Sequence, residues 1–167
     1  MKITAVKSYP IMTWRPHLFV KIETDVGIYG VGESGLTWQE MEVHASIQRL
    51  SKLVIGEDPM RTQHLWQTMY RAGFFPADLV GSAAISAIDI ALWDIKGKAL
   101  GQPIYNLLGG LVREKVVCYP HNEGGSDPSL SLKENIDALI KSCQQTWADG
   151  WKFVRWGLPI LQPSAVN

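Results

Sequence analysis

Two carboxylates, Asp89 and Asp94, lie inside the long apolar stretch AISAIDIALWDIKGKALGQPIYNLLGG, which begins at Ala84. In such a place they could be general acids or bases, metal ligands or structural groups. On a helix, Asp94 can form an ion pair with Lys98, four residues later. Asp89 lies one helical turn before Trp93, and a partly buried carboxylate there needs hydrogen-bond partners rather than a substrate. We expect both aspartates to be structural.

A glycine-rich segment, GVGESG from Gly30 to Gly35, matches the dinucleotide-binding fingerprint G-x-G-x-x-G. It follows a predicted strand and precedes a predicted helix, with acidic residues about twenty positions later. However, its strand is predicted to be the second arm of a hairpin, and the Glu33 carboxylate would repel a pyrophosphate. We therefore prefer a strand that needs small residues, followed by a loop.

The N-terminal third is predicted to be an antiparallel meander. The segments KITAVKSYPI and HLFVKIET alternate in polarity, with Phe19, Lys21 and Glu23 on one face of the second segment. Asp25–Gly27 is a tight-turn signal, and IYGVGES continues as the returning strand.

Helices are predicted to follow the meander. A capping box at Thr37 and Glu40 starts a helix towards Lys52, and Asp58 is the predicted N-cap of a second helix, with Pro59 at its first position.

After the loop AGFFPADLVG, Ser82 is predicted to cap a third helix, which Gly101 ends. Its predicted buried stripe comprises Ile85, Ile88, Leu92, Ile95 and Ala99. The segment IYNLLGG is expected to add one short turn of helix.

The C-terminal part changes to strand, helix, strand. The strand VVCYP precedes a helix with a capping box at Ser131 and Glu134, which is expected to end at Gly150 before the strand WKFVRWG. Such a βαβ unit predicts two parallel strands. We expect two domains, residues 1–112 and 113–167.

Composition excludes several classes of protein. The 167 residues carry 16 basic and 16 acidic side chains, so no basic footprint for nucleic acid is present. Two cysteines do not make a disulfide framework, and neither a signal peptide nor a membrane span is predicted. We expect a cytoplasmic protein without a nucleic-acid or membrane partner.

The stretch that holds the two aspartates resembles the N-terminal signature of the enolase superfamily, in its mandelate racemase/muconate lactonizing branch. The segments TDVGIYGVGE, GEDP and VVCYPH are also similar to this branch, and nearest to its sugar-acid dehydratase-like members. The resemblance implies an α+β capping domain followed by a TIM-type barrel, here the first βαβ unit of an incomplete barrel. The matching positions are Asp89, Ala91, Leu92, Asp94, Gly97, Lys98, Pro103, Ile104, Leu107, Leu108 and Gly109.

Barrel active sites lie at the C-terminal ends of the strands, which by resemblance points to His121 and Arg155 as catalytic candidates. The family usually has Lys-x-Lys at the end of the second strand, but here the stretch is VRWG. Arginine is a poor base but binds carboxylates in a bidentate manner. His121 could instead be a solvated loop residue, and Arg155 could instead form an ordinary salt bridge within the barrel.

In this family two loops of the capping domain close over the active site. By position they correspond to Thr13–His17 and Ser34–Trp38. Arg15, His17 and Trp38 are therefore candidates for substrate binding, although each could equally be a surface loop residue.

The family reaction uses a divalent metal, usually Mg²⁺, to hold the substrate carboxylate while a base removes the α-proton. In a dehydratase the β-hydroxyl then leaves. We expect Mg²⁺ and a small acid-sugar substrate for the full-length parent. For this chain alone we expect no metal ligands and no activity, because only Glu123 lies near a predicted strand end and the barrel stops after its second strand. A homo-oligomer or association with the remaining barrel is also expected.

Two other functions stay open at this point. One is a non-catalytic interaction module that pairs with another chain, and the other is the dinucleotide-binding domain suggested by the glycine segment.

Overall fold

The computed structural model describes residues 1–122, 124, 125 and 127–156. The described residues form two compact units, the first Met1–Leu111 and the second beginning at Val112. No helix within the described ranges is long and apolar enough to span a membrane.

The first unit opens with a three-stranded antiparallel sheet in the order β1-β2-β3, which confirms the predicted meander. The strands are β1 (Ile3–Ile11), β2 (His17–Thr24) and β3 (Tyr29–Ser34). Burial alternates along the central strand β2, so that Leu18, Val20 and Ile22 face the core. The turn before β3 contains Gly27 at φ +80°, a conformation that glycine adopts without strain.

An ion-pair network stabilises the other face of the sheet. The Glu23 carboxylate accepts hydrogen bonds from Lys7 Nζ at 2.8 Å and from Lys21 Nζ at 2.9 Å. These two ammonium groups lower the pKa of Glu23 to about 2, so the carboxylate stays ionised through the acidic range.

Four helices complete the first unit and supply the rest of its core. The long helix α3 lies against β2 and β3, while α1 lies against β1 and α3. They are α1 (Glu40–Val54), α2 (Thr62–Tyr70), α3 (Leu79–Leu100) and α4 (Ile104–Leu107). The core side chains that are at most 2% exposed are Ile3, Leu18, Val20, Ile22, Val43, Ile47, Leu50, Val54, Leu65, Met69, Ala84, Ile85, Ala87, Ile88, Ala91, Leu92 and Ile95.

The predicted start of α1 is wrong, because the capping box at Thr37 does not form. The N-cap is Gln39, whose side chain accepts no capping bond. The Glu40 carboxylate instead accepts from the backbone N–H of Trp38 at 3.0 Å. Trp38 has φ 72°, and this left-handed turn takes the chain out of the geometry that a capping box requires.

The start of α2 also differs from the prediction. Asp58 Oδ1 accepts from the Met60 N–H at 3.0 Å and forms a separate turn, and the helix begins only at Thr62. An aspartate can satisfy backbone donors in a turn as well as at a helix start, and here the turn forms.

In α3 the cap is Asp78, not Ser82. The Asp78 side chain accepts from the Gly81 N–H at 2.7 Å, and the helix begins inside the segment that was predicted to be a loop. The predicted buried stripe is confirmed except at Ala99, which is exposed because the last turn of α3 extends beyond the core. Gly101, at φ +63°, ends the helix as predicted.

The spacing of Gly30 and Gly32 is explained by contact between β3 and α3. A Cβ at Gly30 would collide with the carbonyl oxygen of Ala91, and one at Gly32 with that of Ala87. The strand needs small residues so that the helix backbone can approach closely, which supports the preferred interpretation over a dinucleotide site.

In the second unit, helix α5 (Leu132–Ala148) has the predicted capping box, in which Ser131 and Glu134 each bond the other's backbone. The segments predicted to be strands are not extended ladders over their described residues. One parallel bridge is present, between His121, which directly follows VVCYP, and Arg155 in the second segment. Within the described part of the chain these two segments have no further strand neighbour, and a pair of strands alone has little to stabilise a longer ladder. Glu123, Ser126 and residues 157–167, which include the end of the second predicted strand, lie outside the described residues.

Candidate functional site

The Asp94–Lys98 pair closes the free edge of the sheet. Asp94 Oδ2 accepts from Lys98 Nζ at 2.7 Å and from the backbone N–H of Val31 at 2.9 Å, while Lys98 Nζ donates to the Tyr29 carbonyl at 2.8 Å. Both backbone groups belong to β3, an outer strand of the sheet. The predicted ion pair is confirmed, and it satisfies edge groups that would otherwise be unpaired.

Asp89 is placed where a charge is unfavourable. Its Oδ1 atom is buried and has no hydrogen-bond partner among the described residues. Burial raises the pKa of the Asp89 carboxyl, and a hydrogen bond with Trp93 opposes this only in part. The residue as a whole is only partly buried, and its predicted structural role stays a prediction.

A pocket of about 400 Å³ lies at the end of the sheet between the two loops predicted to bind substrate. It is therefore the principal candidate site in the first unit. Its lining residues are Arg15, Pro16, His17, Glu33, Ser34, Gly35, Thr37 and Ile90.

The polar groups of this pocket differ in their partners. His17 Nδ1 lies 3.0 Å from Glu33 Oε1, and the imidazole stacks on Phe19 with ring centroids 6.0 Å apart. These two contacts fix the orientation of the ring. Among the described residues, the Arg15 guanidinium forms no ion pair. The pocket thus combines a fixed imidazole with a cation whose donors are available.

Ser34 is the distinctive group of the pocket. The residue is 8% exposed, and its Oγ atom is buried without a hydrogen-bond partner among the described residues. A buried hydroxyl that bonds nothing costs free energy, since it loses its hydrogen bonds to water. Ser34 pairs with Leu18 on the buried face of the sheet, whereas Glu33 pairs with Phe19 on the other face, so a ligand in the pocket reaches this oxygen only when the serine side chain turns towards it.

The structure brings together two of the three predicted substrate-binding residues. Arg15 and His17 line the pocket, whereas Trp38 does not and its side chain is 74% exposed. Sequence reasoning missed Glu33, Ser34 and Thr37 as lining residues. Strand alternation could have found Ser34, because it is the buried position that ends β3.

The two predicted catalytic residues lie in the second unit. His121 and Arg155 are bridge partners on adjacent backbones, and both side chains are exposed. The structure therefore brings these two residues together.

Metal ligands are not assembled in the described part of the chain. No group of three or more His, Cys, Asp or Glu side chains there could hold a metal ion. Mg²⁺ needs several fixed oxygen ligands, so the described residues do not fit this cofactor.

An antiparallel sheet packed on helices, with the signature stretch beginning on the longest helix, is the α+β arrangement expected of the capping domain. The family model of the mandelate racemase / muconate lactonizing enzyme N-terminal domain matches residues 5–109. The chain belongs to this family, and the resemblance noted from the sequence is confirmed.

Sequence relatives are sugar-acid dehydratases by name. The D-galactonate dehydratase of Pectobacterium atrosepticum is 48% identical over 153 residues, which cover 91% of this chain and 38% of the relative. That of Xanthomonas campestris pv. campestris is 50% identical over 138 residues, covering 82% and 35%. The chain thus spans little more than a third of the length of these relatives.

Solved structures give the same fold. A putative dehydratase from Mesorhizobium loti superposes with a TM-score of 0.82 at 34% identity, covering 93% of this chain and 41% of that one. An enolase from Pantoea ananatis, solved with bound D-gluconate and Mg, has a TM-score of 0.81 at 32% identity, covering 93% and 36%. The predicted fold class, an α+β capping domain ahead of a barrel, is confirmed for the capping domain, while the barrel is covered only in part.

Proposed function

We propose that this chain is the N-terminal portion of a sugar-acid dehydratase, and that the Ser34 pocket binds the hydroxylated end of the substrate. The relatives named D-galactonate dehydratase and the gluconate-bound neighbour support an acid-sugar substrate. The observation that carries the proposal is the buried Ser34 hydroxyl without a partner, in a pocket that Arg15 and His17 also line.

The chemistry of the pocket suits a polyol. A sugar hydroxyl can both donate and accept, so it can satisfy Ser34 Oγ whichever way the serine proton points. The Arg15 guanidinium offers only donors, which fit the lone pairs of hydroxyl oxygens. The His17 ring, held in place by Glu33, offers polar atoms at fixed positions, which helps to distinguish a sugar hydroxyl of one configuration from its epimer. Such contacts select a substrate by leaving polar groups unpaired when the wrong epimer binds.

The proposed overall reaction is the dehydration that the relatives' names describe. When bound, Mg²⁺ would stabilise the negative charge that develops on the substrate carboxylate, but the described residues do not supply its ligands. Loss of the α-proton and of the β-hydroxyl converts a sugar acid into a 2-oxo-3-deoxy acid. The residues described here contribute binding and orientation to this conversion.

Ser34→Ala in the full-length protein tests the pocket. D-Galactonate and D-gluconate serve as substrates, and the 2-oxo acid product is measured as its semicarbazone. We expect KM to rise about tenfold, the effect of about 1.4 kcal/mol of lost binding, with a smaller change in kcat. Thr4→Val, which removes an exposed hydroxyl on β1, is the matched control and should leave both constants unchanged. An unchanged KM in Ser34→Ala would argue against the pocket, and no product from any sugar acid would argue against the dehydratase.

A separate proposal concerns the second unit, where Arg155 binds a carboxylate and His121 transfers a proton. Arginine remains protonated and offers a planar fork of donors, so it is suited to binding rather than to proton removal. In the full-length protein, Arg155→Lys should raise KM more than it lowers kcat. An unchanged KM with a large loss of kcat would contradict this role.

A further inference from the structure

We propose that Asn122 is a positioning residue. Its hydrogen bonds to helix α5 hold the bridged segments in place and thereby fix the direction in which the side chains of His121 and Arg155 project. The inference rests on the proposed roles of His121 and Arg155.

The backbone of Asn122 forms half of the only bridge between the strands over the described residues. Its N–H donates to the Arg155 carbonyl at 2.7 Å, and the Arg155 N–H donates to the Pro120 carbonyl at 3.2 Å. These two bonds fix the register in which His121 is opposite Arg155. With so few ladder bonds, something other than the ladder must stabilise that register.

The Asn122 side chain supplies this stabilisation. Asn122 is 6% exposed, and both ends of its amide are bonded to α5. Nδ2 donates to Cys143 Sγ at 3.4 Å, and Oδ1 accepts from the hydroxyl of Thr146. Cys143 and Thr146 are three residues apart and therefore share one face of the helix. Only a side chain with both a donor and an acceptor can make the two contacts together.

The orientation of Asn122 also determines that of its neighbours. Successive side chains of an extended backbone point to opposite faces. Because Asn122 points to α5, the side chain of His121 leaves on the opposite face. Arg155 is paired with His121 across the bridge and leaves on that same face, with the two backbones about 4.8 Å apart. The imidazole and the guanidinium are thus presented together, on the face away from the helix.

Asn135 provides a matched control. It is also a buried asparagine, 6% exposed, and it belongs to α5. Its side chain accepts from the Asp127 N–H at 2.8 Å and donates to the carbonyl of Asp127 at 2.9 Å, so it fixes the loop before the helix and not the strand pair. A variant at either asparagine loses a buried amide, but only one of them acts on the bridge.

Amide hydrogen exchange on the 167-residue chain gives the first test. We expect Asn122→Ala and Asn122→Asp to remove the protection of the Arg155 amide, because alanine lacks both polar atoms and aspartate lacks the donor to Cys143. In Asn135→Ala the Arg155 amide should stay protected, while the Asp127 amide loses protection. Retained protection of Arg155 in Asn122→Ala, or equal loss in Asn135→Ala, would overturn the proposal.

Turnover by the full-length protein gives the second test. Asn122→Ala should lower kcat/KM about tenfold, and Arg155→Lys added to it should cost less than it does in the wild type, because the guanidinium is already displaced. Asn135→Ala should keep kcat/KM and lower only the melting temperature. Independent, multiplicative effects of the Asn122 and Arg155 changes would overturn the positioning role. A wild type without turnover would instead refute the proposed function, and the exchange test would still decide whether Asn122 holds the bridge.

Discussion

At the scale of single residues, the two aspartates of the signature helix have different roles. The Asp94 carboxylate oxygen accepts hydrogen bonds from Lys98 and from the β3 backbone. Asp89 is partly buried, and one of its oxygens has no partner among the described residues. The identical side chain thus stabilises the fold at one position and carries a desolvation cost at the other, because only Asp94 has donors to replace water.

Asp94→Ala should lower the stability of the fold by about 1–3 kcal/mol, since it removes a charged acceptor from a backbone N–H and from a lysine. Chemical denaturation with urea measures the change. Glu42→Ala, on the exposed side of α1, is the control and should change stability by less than about 0.5 kcal/mol. In the full-length protein, an Asp94→Ala variant with an unchanged midpoint but no turnover would contradict a structural role.

Asp89→Asn should stabilise the protein near neutral pH. The folded-state pKa of Asp89 is raised by burial above the ordinary value of 3.8, so the folded state binds the proton more tightly than the unfolded state. The contribution of this carboxyl to the stability of the fold is most favourable below pH 3.8, and it is lost as the pH rises through the raised pKa. Asparagine stays neutral and keeps an acceptor for Trp93, so the variant should not lose stability as the pH rises through this range.

Melting temperatures of the wild type and Asp89→Asn at pH 4 and at pH 7 test this expectation. The difference between the two proteins should favour Asp89→Asn more at pH 7 than at pH 4. The opposite result would be a melting temperature of Asp89→Asn that falls, relative to that of the wild type, between pH 4 and pH 7. It would mean that the ionised carboxylate has a partner in solution.

At the scale of elements, β3 and α3 pack with their backbones close together. This contact depends on two glycines in the strand, Gly30 and Gly32, whose missing side chains leave room for helix carbonyl groups. The contact also places β3 where Asp94 and Lys98 can bond its edge. Strand, helix and ion pair therefore depend on one another.

Gly32→Ala should destabilise the fold by about 3 kcal/mol or prevent folding, since its Cβ would overlap the backbone of Ala87, which cannot move as a side chain could. Gly35→Ala is the matched control, because a Cβ there meets nothing within 4 Å. Circular dichroism during thermal unfolding compares the two variants. Equal melting temperatures would show that the strand and the helix are not in the close contact described.

Local sequence signals predicted these elements unequally well. Hydrophobic alternation predicted the meander, because each strand carries its own pattern of burial. The Ser131–Glu134 box forms as predicted, yet the similar Thr37–Glu40 pair does not, since Trp38 adopts φ 72° between them. A capping motif specifies which bonds are possible, whereas the path of the preceding chain decides whether they form.

At the scale of the whole molecule, the signature stretch predicted the family, and the family predicted the capping fold. The pocket was only partly predictable. Arg15 and His17 could be proposed from the loop position, and strand alternation predicts that Ser34 is buried, but no sequence signal predicts that its hydroxyl oxygen lacks a partner. That property depends on what the surrounding chain leaves unbonded, which no local pattern records.

The crystal structure of the full-length protein with D-galactonate or D-gluconate bound tests the central claim most directly. The pocket hypothesis predicts a substrate hydroxyl within hydrogen-bond distance of Ser34 Oγ, with the Arg15 guanidinium and the His17 ring lining the same pocket. A bound sugar acid that leaves this pocket empty, with Ser34 Oγ still unpaired, would contradict it.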